Sequence, residues 1–255
     1  VVPMGTTGES ATLNTHEHLE VISRTIEVAN GRISVVAGTG SNSTEETLHQ
    51  TKEAESLGAD ACLLVTPYYN RPTQEGLYAH FKKVAETTSV PLVLYNVPGR
   101  TGCDLLPETI GRLSSIEGIV GIKEASGKIE RVSEIRSVSA SDFFILSGED
   151  ALTLEMMNNG AVGTISVTAN VLPKAMAEFC DSFLSGNIKR ASAIDEVLQS
   201  VHEILFIESN PTPAKWALHQ MGIIHEGIRM PLLPLSSRYR SELKKRIDEA
   251  MEALK

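Results

Sequence analysis

The chain has 255 residues, of which 42% are hydrophobic and 22% charged, a composition typical of a folded globular protein and too apolar for intrinsic disorder. Acidic residues outnumber basic ones by 32 to 23, and the resulting net charge of −9 argues against a surface that binds nucleic acid or an anionic membrane. One α/β barrel or two smaller domains would both fit this length.

Seven short apolar runs rich in Val, Ile and Leu predict parallel strands that are covered on both faces. They comprise residues 1–4, 33–37, 61–66, 91–97, 119–123, 143–147 and 161–167. Polar stretches with helical periodicity between and after these runs predict helices. The helices comprise residues 44–58 with Thr44 at the capping position, 73–88, 106–114, 129–138, 151–159, 172–185, 188–206, 213–221 and 237–254.

This alternation predicts an α/β fold, the (β/α)8 TIM barrel, because no GxGxxG motif of an open dinucleotide-binding sheet follows any strand. Residues 1–170 would form the barrel, with seven strand–helix units visible in the sequence. Residues 171–255 would add the last barrel helix and a C-terminal helical extension within the same structural unit. Since such a barrel has eight strands, we expect the first strand and its helix to precede Val1.

Neither the cysteines nor the histidines predict a metal site. Cys62, Cys103 and Cys180 are widely spaced and form no CxxC motif, which favours free thiols in a reducing compartment. His16 and His18 form an HxH pair at the predicted start of a further helix, and without a third ligand zinc is a weak alternative. No apolar run approaches the ~20 residues that span a bilayer and no signal-peptide pattern opens the chain, so we expect a cytoplasmic protein.

Lys123 is the most informative residue, because it follows the apolar run 119–122 at the carboxyl end of a predicted strand, where the active sites of such barrels lie. Burial lowers the pKa of an amine toward the neutral form that attacks carbonyl groups. A buried ion pair with Glu124 is the alternative, although neighbouring strand residues point to opposite faces. The position of Lys123 alone favours neither Schiff-base chemistry nor a structural role.

Three more segments bring polar groups to the ends of predicted strands. Tyr95 could exchange protons with a Schiff base, or it could be a core aromatic residue. Residues 5–8, GTTG, offer N–H groups and two hydroxyls to a small carboxylate, although an ordinary turn explains them equally well. Arg100 could hold a second carboxylate through two hydrogen bonds, or it could simply be solvated.

The motifs GTTGES, VAGTGSNST, VTPYYNRPTQEGLYAHF, LYNVPGRTG, GIKEASG, LSGED, GTISVTAN and NPTPAKWAL follow one another along the chain. With them the sequence resembles the family of pyruvate-dependent Schiff-base aldolases and lyases, most closely its members in lysine biosynthesis. The resemblance implies a lyase of the diaminopimelate and lysine pathway that condenses pyruvate with L-aspartate 4-semialdehyde. The reaction would proceed through a lysine Schiff base, with no metal or organic cofactor.

The resemblance also implies roles for individual residues. The catalytic residues would be Lys123 as the Schiff-base lysine, with Tyr95, Thr7 and Tyr69 as a proton relay. The substrate-binding residues would be Thr6 and Thr7 at the pyruvate carboxylate, Gly148 and the Ile165 carbonyl in the pocket wall, and Arg100 at the aspartate semialdehyde carboxylate.

An assembly and an effector are implied in the same way. In the family the relay tyrosine, here Tyr69, crosses a tight dimer interface, and a dimer of dimers is usual, so a homo-oligomer is expected. Lysine-inhibited members bind their effector at that interface, and the matching residues here are Ser10, Ala11, His18, Asn42, Glu46 and Tyr68. Thr15 stands where sensitive bacterial forms often carry histidine, so the strength of lysine inhibition stays open.

Two other functions remain as alternatives. A sister enzyme on the same scaffold, such as N-acetylneuraminate lyase or a 2-keto-3-deoxy sugar acid aldolase, would share the lysine and the tyrosine but act on a different partner. Arg100 and Thr7 favour the condensation with aspartate semialdehyde instead. A non-catalytic relative that binds pyruvate or an amino acid is the second alternative.

Overall fold

Five parallel strands form the centre of the molecule, and each pairs with the next in chain order. In the computed structural model, which describes residues 1–255, they are β1 (Val36–Gly38), β2 (Ala61–Val65), β3 (Leu92–Asn96), β4 (Ile119–Glu124) and β5 (Phe144–Ser147). Every residue of β3 is buried, as expected for a strand with helices on one face and a packed interior on the other.

Two extended segments flank this sheet. The carbonyls of Val1 and Pro3 accept hydrogen bonds from two amides of β1, both at 2.9 Å. At the other edge, Thr164 forms a single parallel bridge with Ser147. Residues 1–4 and 161–167 therefore do not form the full strands predicted for them, because each is paired with the sheet along one side only.

Helices surround the sheet, and neighbouring helices pack side by side. They are α1 (Thr15–Ala29), α2 (Thr44–Leu57), α3 (Gln74–Ala85), α4 (Pro98–Thr101), α5 (Pro107–Leu113), α6 (Glu130–Val138), α7 (Thr153–Asn158), α8 (Pro173–Leu184), α9 (Ile188–Ile204), α10 (Thr212–Gln220) and α11 (Ser237–Ala253). The succession of parallel strands and covering helices is that of a TIM barrel with a C-terminal helical extension.

Most helices begin and end within three residues of the predicted bounds. One cap differs from the prediction. The Glu46 amide donates a hydrogen bond to Ser43 Oγ at 3.3 Å, so Ser43 rather than Thr44 caps α2. The short helix α4 lies where a loop is expected, because its sequence PGRT is typical of a turn, although Pro98 also suits the first position of a helix.

The apolar side chains form two clusters on opposite faces of the sheet. The larger holds 41 buried residues between the strands and the helices, from Met4 to Ala250. The smaller lies inside the barrel and consists of Leu63, Val93, Tyr95, Val97 and Ala125. Since one cluster draws on both residues 1–170 and residues 171–255, the two ranges share a core, while the boundary between them stays a prediction.

No helix of the structure combines the length and the apolar character that crossing a membrane requires. All three cysteines are free thiols, and burial raises the pKa of both Cys62 and Cys180 to about 11. Thiols with such pKa values are poor nucleophiles at neutral pH. Cys62 and Cys180 are therefore unsuited to nucleophilic chemistry.

Candidate active site

Lys123 and Tyr95 face each other at the carboxyl ends of β4 and β3. The two residues are paired in register, and Lys123 Nζ lies 4.3 Å from the centre of the Tyr95 ring. Because side chains alternate along a strand, this pairing turns both into the barrel, where Tyr95 packs with Leu63 and Val93. An amine and a phenol thus share one largely apolar wall.

The surroundings shift both of these groups toward their neutral forms. Burial lowers the pKa of the Lys123 amine from 10.5 to about 8, against the attraction of Asp150 and Glu149, because the ammonium loses its hydration inside the barrel. Burial also raises the pKa of the Tyr95 phenol. The site therefore holds a partly neutral amine beside a protonated phenol near neutral pH.

Glu124 follows Lys123 directly but points to the outer face of the sheet, where it is fully buried. Its carboxylate accepts hydrogen bonds from Asn96 Nδ2 at 3.1 Å and from the Ser126 amide at 2.7 Å. The alternation expected from the sequence is confirmed. Lys123 and Glu124 lie on opposite faces and form no ion pair.

Gly148, at the end of β5, leaves room for the lysine side chain. A Cβ at this position would lie 2.9 Å from Lys123 Cε and 2.7 Å from Ala125 Cβ, which is closer than packed carbon atoms approach. Gly148 is thus required by the path of Lys123, in addition to lining the cavity as predicted.

Two acidic residues directly after Gly148 were not assigned a role from the sequence. Asp150 Oδ2 accepts hydrogen bonds from the amides of Val167 at 3.0 Å and Thr168 at 2.7 Å. Asp150 and Glu149 both act electrostatically on Lys123. The motif LSGED could have predicted their proximity to Lys123, since it brings two carboxylates to the active-site end of a strand.

The threonines of the GTTG loop face different partners. The Thr6 side chain favours the ionised form of the Tyr95 phenol and so opposes the rise of the Tyr95 pKa. Thr7 Oγ1 instead accepts a hydrogen bond from Asn210 Nδ2 at 3.0 Å. The resemblance implies Thr7 as the relay partner of Tyr95, and both threonines line one cavity with Tyr95, so the assignment stays a prediction. Asn210 is 203 residues from Thr7 along the chain, so no local pattern could link the two.

A cavity of about 590 Å³ opens at this end of the barrel, and we call it the lysine cavity. Its wall brings together most of the predicted site residues, namely Lys123, Tyr95, Thr6, Thr7, Arg100, Gly148 and Ile165. Arg100 is exposed and lies at the rim. A volume of several hundred Å³ is typical of sites for small molecules, and here an amine, a phenol and a guanidinium converge on it.

Tyr69 is the predicted catalytic residue that the single chain does not bring to the lysine cavity. Its side chain is 89% exposed, and its backbone adopts a φ of 73°. The Tyr69 amide donates to the Thr101 carbonyl at 3.2 Å, so the residue lies beside the short helix that carries Arg100.

A second cavity of about 350 Å³, which we call the side cavity, adjoins the first. Five of the six predicted effector residues line it: Ser10, Ala11, His18, Glu46 and Tyr68. Asn42 does not, and its carbonyl accepts a hydrogen bond from Asn70 Nδ2 at 2.8 Å. Thr6, Tyr95 and Arg100 line both cavities.

The HxH pair does not assemble a metal site. A ring nitrogen of His18, Nε2, donates to the Gly38 carbonyl at 2.7 Å, while His16 is exposed beside Glu20. Nowhere in the structure do three or more side chains of histidine, cysteine or acidic residues gather in a way that could hold a metal ion.

The fold and the lysine at the carboxyl end of its strands define a TIM-barrel enzyme. The model of the dihydrodipicolinate synthetase family matches residues 1–250. A curated relative, the 4-hydroxy-tetrahydrodipicolinate synthase of Methylococcus capsulatus, is 55% identical over 250 residues, which cover 98% of this chain and 86% of the relative.

Solved structures agree with this match. The chloride-inhibited dihydrodipicolinate synthase of Acinetobacter baumannii, complexed with pyruvate, has a TM-score of 0.96 and 51% identity, covering 98% of this chain and 86% of that one. The synthase of Cyanidioschyzon merolae with lysine bound has a TM-score of 0.94 and 38% identity, covering 98% and 85%. The chain belongs to the dihydrodipicolinate synthetase family, and it is an enzyme of the lyase class.

Proposed function

We propose that this enzyme condenses pyruvate with L-aspartate 4-semialdehyde, the reaction of a 4-hydroxy-tetrahydrodipicolinate synthase in diaminopimelate and lysine biosynthesis. One observation carries the proposal: the Lys123 amine, with its pKa lowered to about 8, ends in a cavity beside the Tyr95 phenol. Family membership supports the choice of substrates, since relatives about 54% identical bear this name.

The first half of the reaction activates pyruvate. Neutral Lys123 Nζ attacks the keto carbon, and the keto oxygen leaves as water with protons supplied through Tyr95. The resulting iminium draws electrons from the methyl group, which passes a proton back to Tyr95 and becomes the terminal carbon of an enamine. The lysine itself is therefore the electron sink.

The second half forms the carbon–carbon bond and frees the enzyme. The enamine carbon attacks the aldehyde carbon of aspartate semialdehyde, and the aldehyde oxygen takes up a proton to become a hydroxyl. The substrate amine then attacks the imine carbon and displaces the Lys123 amine, which closes the ring. One water is released in the whole sequence.

The remaining residues take supporting roles in this proposal. Thr6 lies at the Tyr95 phenol and fits the first step of the proton relay better than Thr7 does. Thr7 and the turn at Thr6–Gly8 offer a hydroxyl and amides to the pyruvate carboxylate. Gly148 and the Ile165 carbonyl line the same cavity, and Arg100 at the rim suits the carboxylate of the second substrate.

An oligomer and an effector complete the proposal. Tyr69, held outward at 89% exposure, would enter the relay of a second copy of this chain, which makes a dimer the smallest complete unit. A dimer of dimers, a cytoplasmic location and independence of metal or organic cofactors stay part of the proposal. Free lysine would bind the side cavity, where Glu46 can accept hydrogen bonds from its ammonium group.

A comparison of substrates tests the proposed reaction. The purified enzyme is given pyruvate with aspartate semialdehyde and, separately, N-acetylneuraminate or a 2-keto-3-deoxy sugar acid. We expect rapid consumption of the semialdehyde and no measurable cleavage of the sugar acids. Cleavage of a sugar acid without condensation would contradict the proposal, and inactivity with every substrate would favour a binding protein.

A further inference from the structure

A buried polar pair lies directly behind Lys123 and Tyr95, on the outer face of the same strands. Asn96 and Glu124 are paired in register one residue beyond Tyr95 and Lys123, and both are fully buried. Asn96 Nδ2 donates to Glu124 at 3.1 Å, and Asn96 Oδ1 accepts from the Leu105 amide at 2.9 Å. The strand ends thus carry one polar pair inside the barrel and another outside it.

Two charged residues, Arg131 and Asp104, complete this network. Arg131 donates two hydrogen bonds to Asp104, both at 2.9 Å, and Asn96 Nδ2 donates to the same carboxylate at 2.8 Å. Burial raises the pKa of Glu124, whereas the hydrogen bonds from Ser126 and Asn96 and the charge of Arg131 oppose that rise. Side chains of β3, β4, α6 and the loop before α5 are therefore joined in one buried network.

The backbone of the same residues connects three strand ends. The Asn96 carbonyl accepts a hydrogen bond from the Ala125 amide, and the Glu124 carbonyl accepts one from the Gly148 amide, both at 2.8 Å. The Asn96 amide and the Glu124 carboxylate both have hydrogen-bond partners, and such a buried pair is held rigidly, because leaving either member unpaired is costly. Neither Asn96 nor Glu124 lines the lysine cavity, so any effect on the reaction must pass through the strands.

We propose that Asn96 and Glu124 form a positioning pair, which sets the separation of the Lys123 amine and the Tyr95 phenol and thereby the rate of Schiff-base formation. The inference rests on the proposed role of Lys123. The hydrogen bonds of Asn96 and Glu124 fix the ends of β3 and β4. Tyr95 and Lys123 keep their separation because they are the preceding residues of the same two strands.

The variant Glu124→Gln tests this role, because it puts an amide NH₂ or a weaker acceptor opposite Asn96 Nδ2. A misplacement of about 1 Å can cost on the order of 10²-fold in rate, so we expect borohydride-trapped adduct with pyruvate to form about 10- to 100-fold more slowly. The pH profile of trapping should also move, because the Lys123 amine changes its distances to Asp150, Glu149 and Arg100, the charged groups that act on it.

Glu134→Gln is the matched control. Glu134 is the other carboxylate at Arg131, 3.3 Å from its Nε, and its side chain is 52% exposed. We expect this variant to keep the rate and the pH profile of the unmodified enzyme. Circular dichroism and thermal melting establish that each variant is folded.

The outcomes separate positioning from structural support. If Glu124→Gln melts at a lower temperature but its folded form keeps the original rate and pH profile, the inference is overturned. If Glu124→Gln does not fold, Asp104→Asn takes its place, because the Asp104 side chain is 30% exposed. Adduct formation that is several-fold slower, with a shifted pH profile, supports the inference. An unchanged rate of adduct formation overturns it. An unmodified enzyme that forms no pyruvate adduct would contradict the proposed function instead.

Discussion

Two cavities in this molecule share one wall but differ in the chemistry that they can perform. The lysine cavity of about 590 Å³ ends on an amine whose pKa is lowered to about 8, whereas the side cavity of about 350 Å³ contains Glu46 and His18 and no lysine. Thr6, Tyr95 and Arg100 belong to both. The two cavities differ because Lys123, at the carboxyl end of β4, lines only the first of them.

The side cavity is instead suited to reversible binding. Burial lowers the pKa of His18, whose ring bonds the Gly38 carbonyl, and Ser41 donates to the Glu46 carboxylate at 2.5 Å. The Glu46 carboxylate suits a cationic group of a ligand, and Arg100, which also lines this cavity, suits a carboxylate. Tyr95 lines both cavities. A ligand in the side cavity would therefore lie near the tyrosine of the proposed proton relay.

Tyr95→Phe should produce the largest loss among the residues of the shared wall. Without the phenol the carbinolamine loses its proton donor, and we expect turnover to fall about 10²- to 10⁴-fold while the aromatic ring keeps its packing. Steady-state kinetics and thermal melting check both expectations. Turnover near that of the unmodified enzyme would remove Tyr95 from the proton relay.

Gly148→Ala should disturb the lysine cavity alone. The added Cβ would lie 2.9 Å from Lys123 Cε, and displacement of the amine should slow adduct formation with pyruvate on the order of 10²-fold. Gly99→Ala is the matched control, since a Cβ at Gly99 meets nothing within 4 Å. Equal rates in the two variants would show that Gly148 does not govern the path of Lys123.

The pH dependence of adduct formation should report the Lys123 amine. Because only the neutral amine attacks pyruvate and its pKa is lowered to about 8, we expect the rate to rise about tenfold per pH unit below pH 8 and to level off above it. Rapid-quench trapping at a series of pH values gives the profile. A rise that continues toward pH 10.5, the ordinary pKa of lysine, would mean that the amine is not desolvated.

Glu46→Gln should have the smallest effect on basal turnover, because Glu46 lies in the side cavity alone. If lysine binds there, the loss of one charged partner, worth about 1.5–3 kcal/mol, should raise the lysine concentration for half-inhibition about tenfold or more. Inhibition curves of the two proteins make the comparison. Unchanged inhibition would place the effector elsewhere.

The barrel itself could be predicted from the sequence, because apolar runs and helical periodicity are local properties. They set most helix bounds within three residues, and they placed Lys123 at a strand end. The lengths of the two edge segments were overestimated, since apolar character does not reveal whether a segment finds pairing partners on both sides. Residues 1–4 and 161–167 each pair with a strand on one side only.

Contacts between distant segments account for the site features that the sequence could not predict. Thr6 and Thr7 are chemically alike, and only contacts with distant residues distinguish them: Thr6 affects the pKa of Tyr95, whereas Thr7 accepts a hydrogen bond from Asn210. The network of Asn96 and Glu124 depends on the register of β3 and β4, which no pattern within one strand determines. Long-range register and loop contacts thus supply what periodicity leaves open.

The most direct test of the central claim is the mass of the Lys123 peptide after the enzyme is treated with pyruvate and borohydride. We predict that this peptide alone gains the mass of one pyruvate, minus one water and plus two hydrogens, as reduction of a lysine imine requires. The variant Lys123→Arg should show no gain. An unmodified Lys123 peptide, or the same gain on another lysine, would contradict the account.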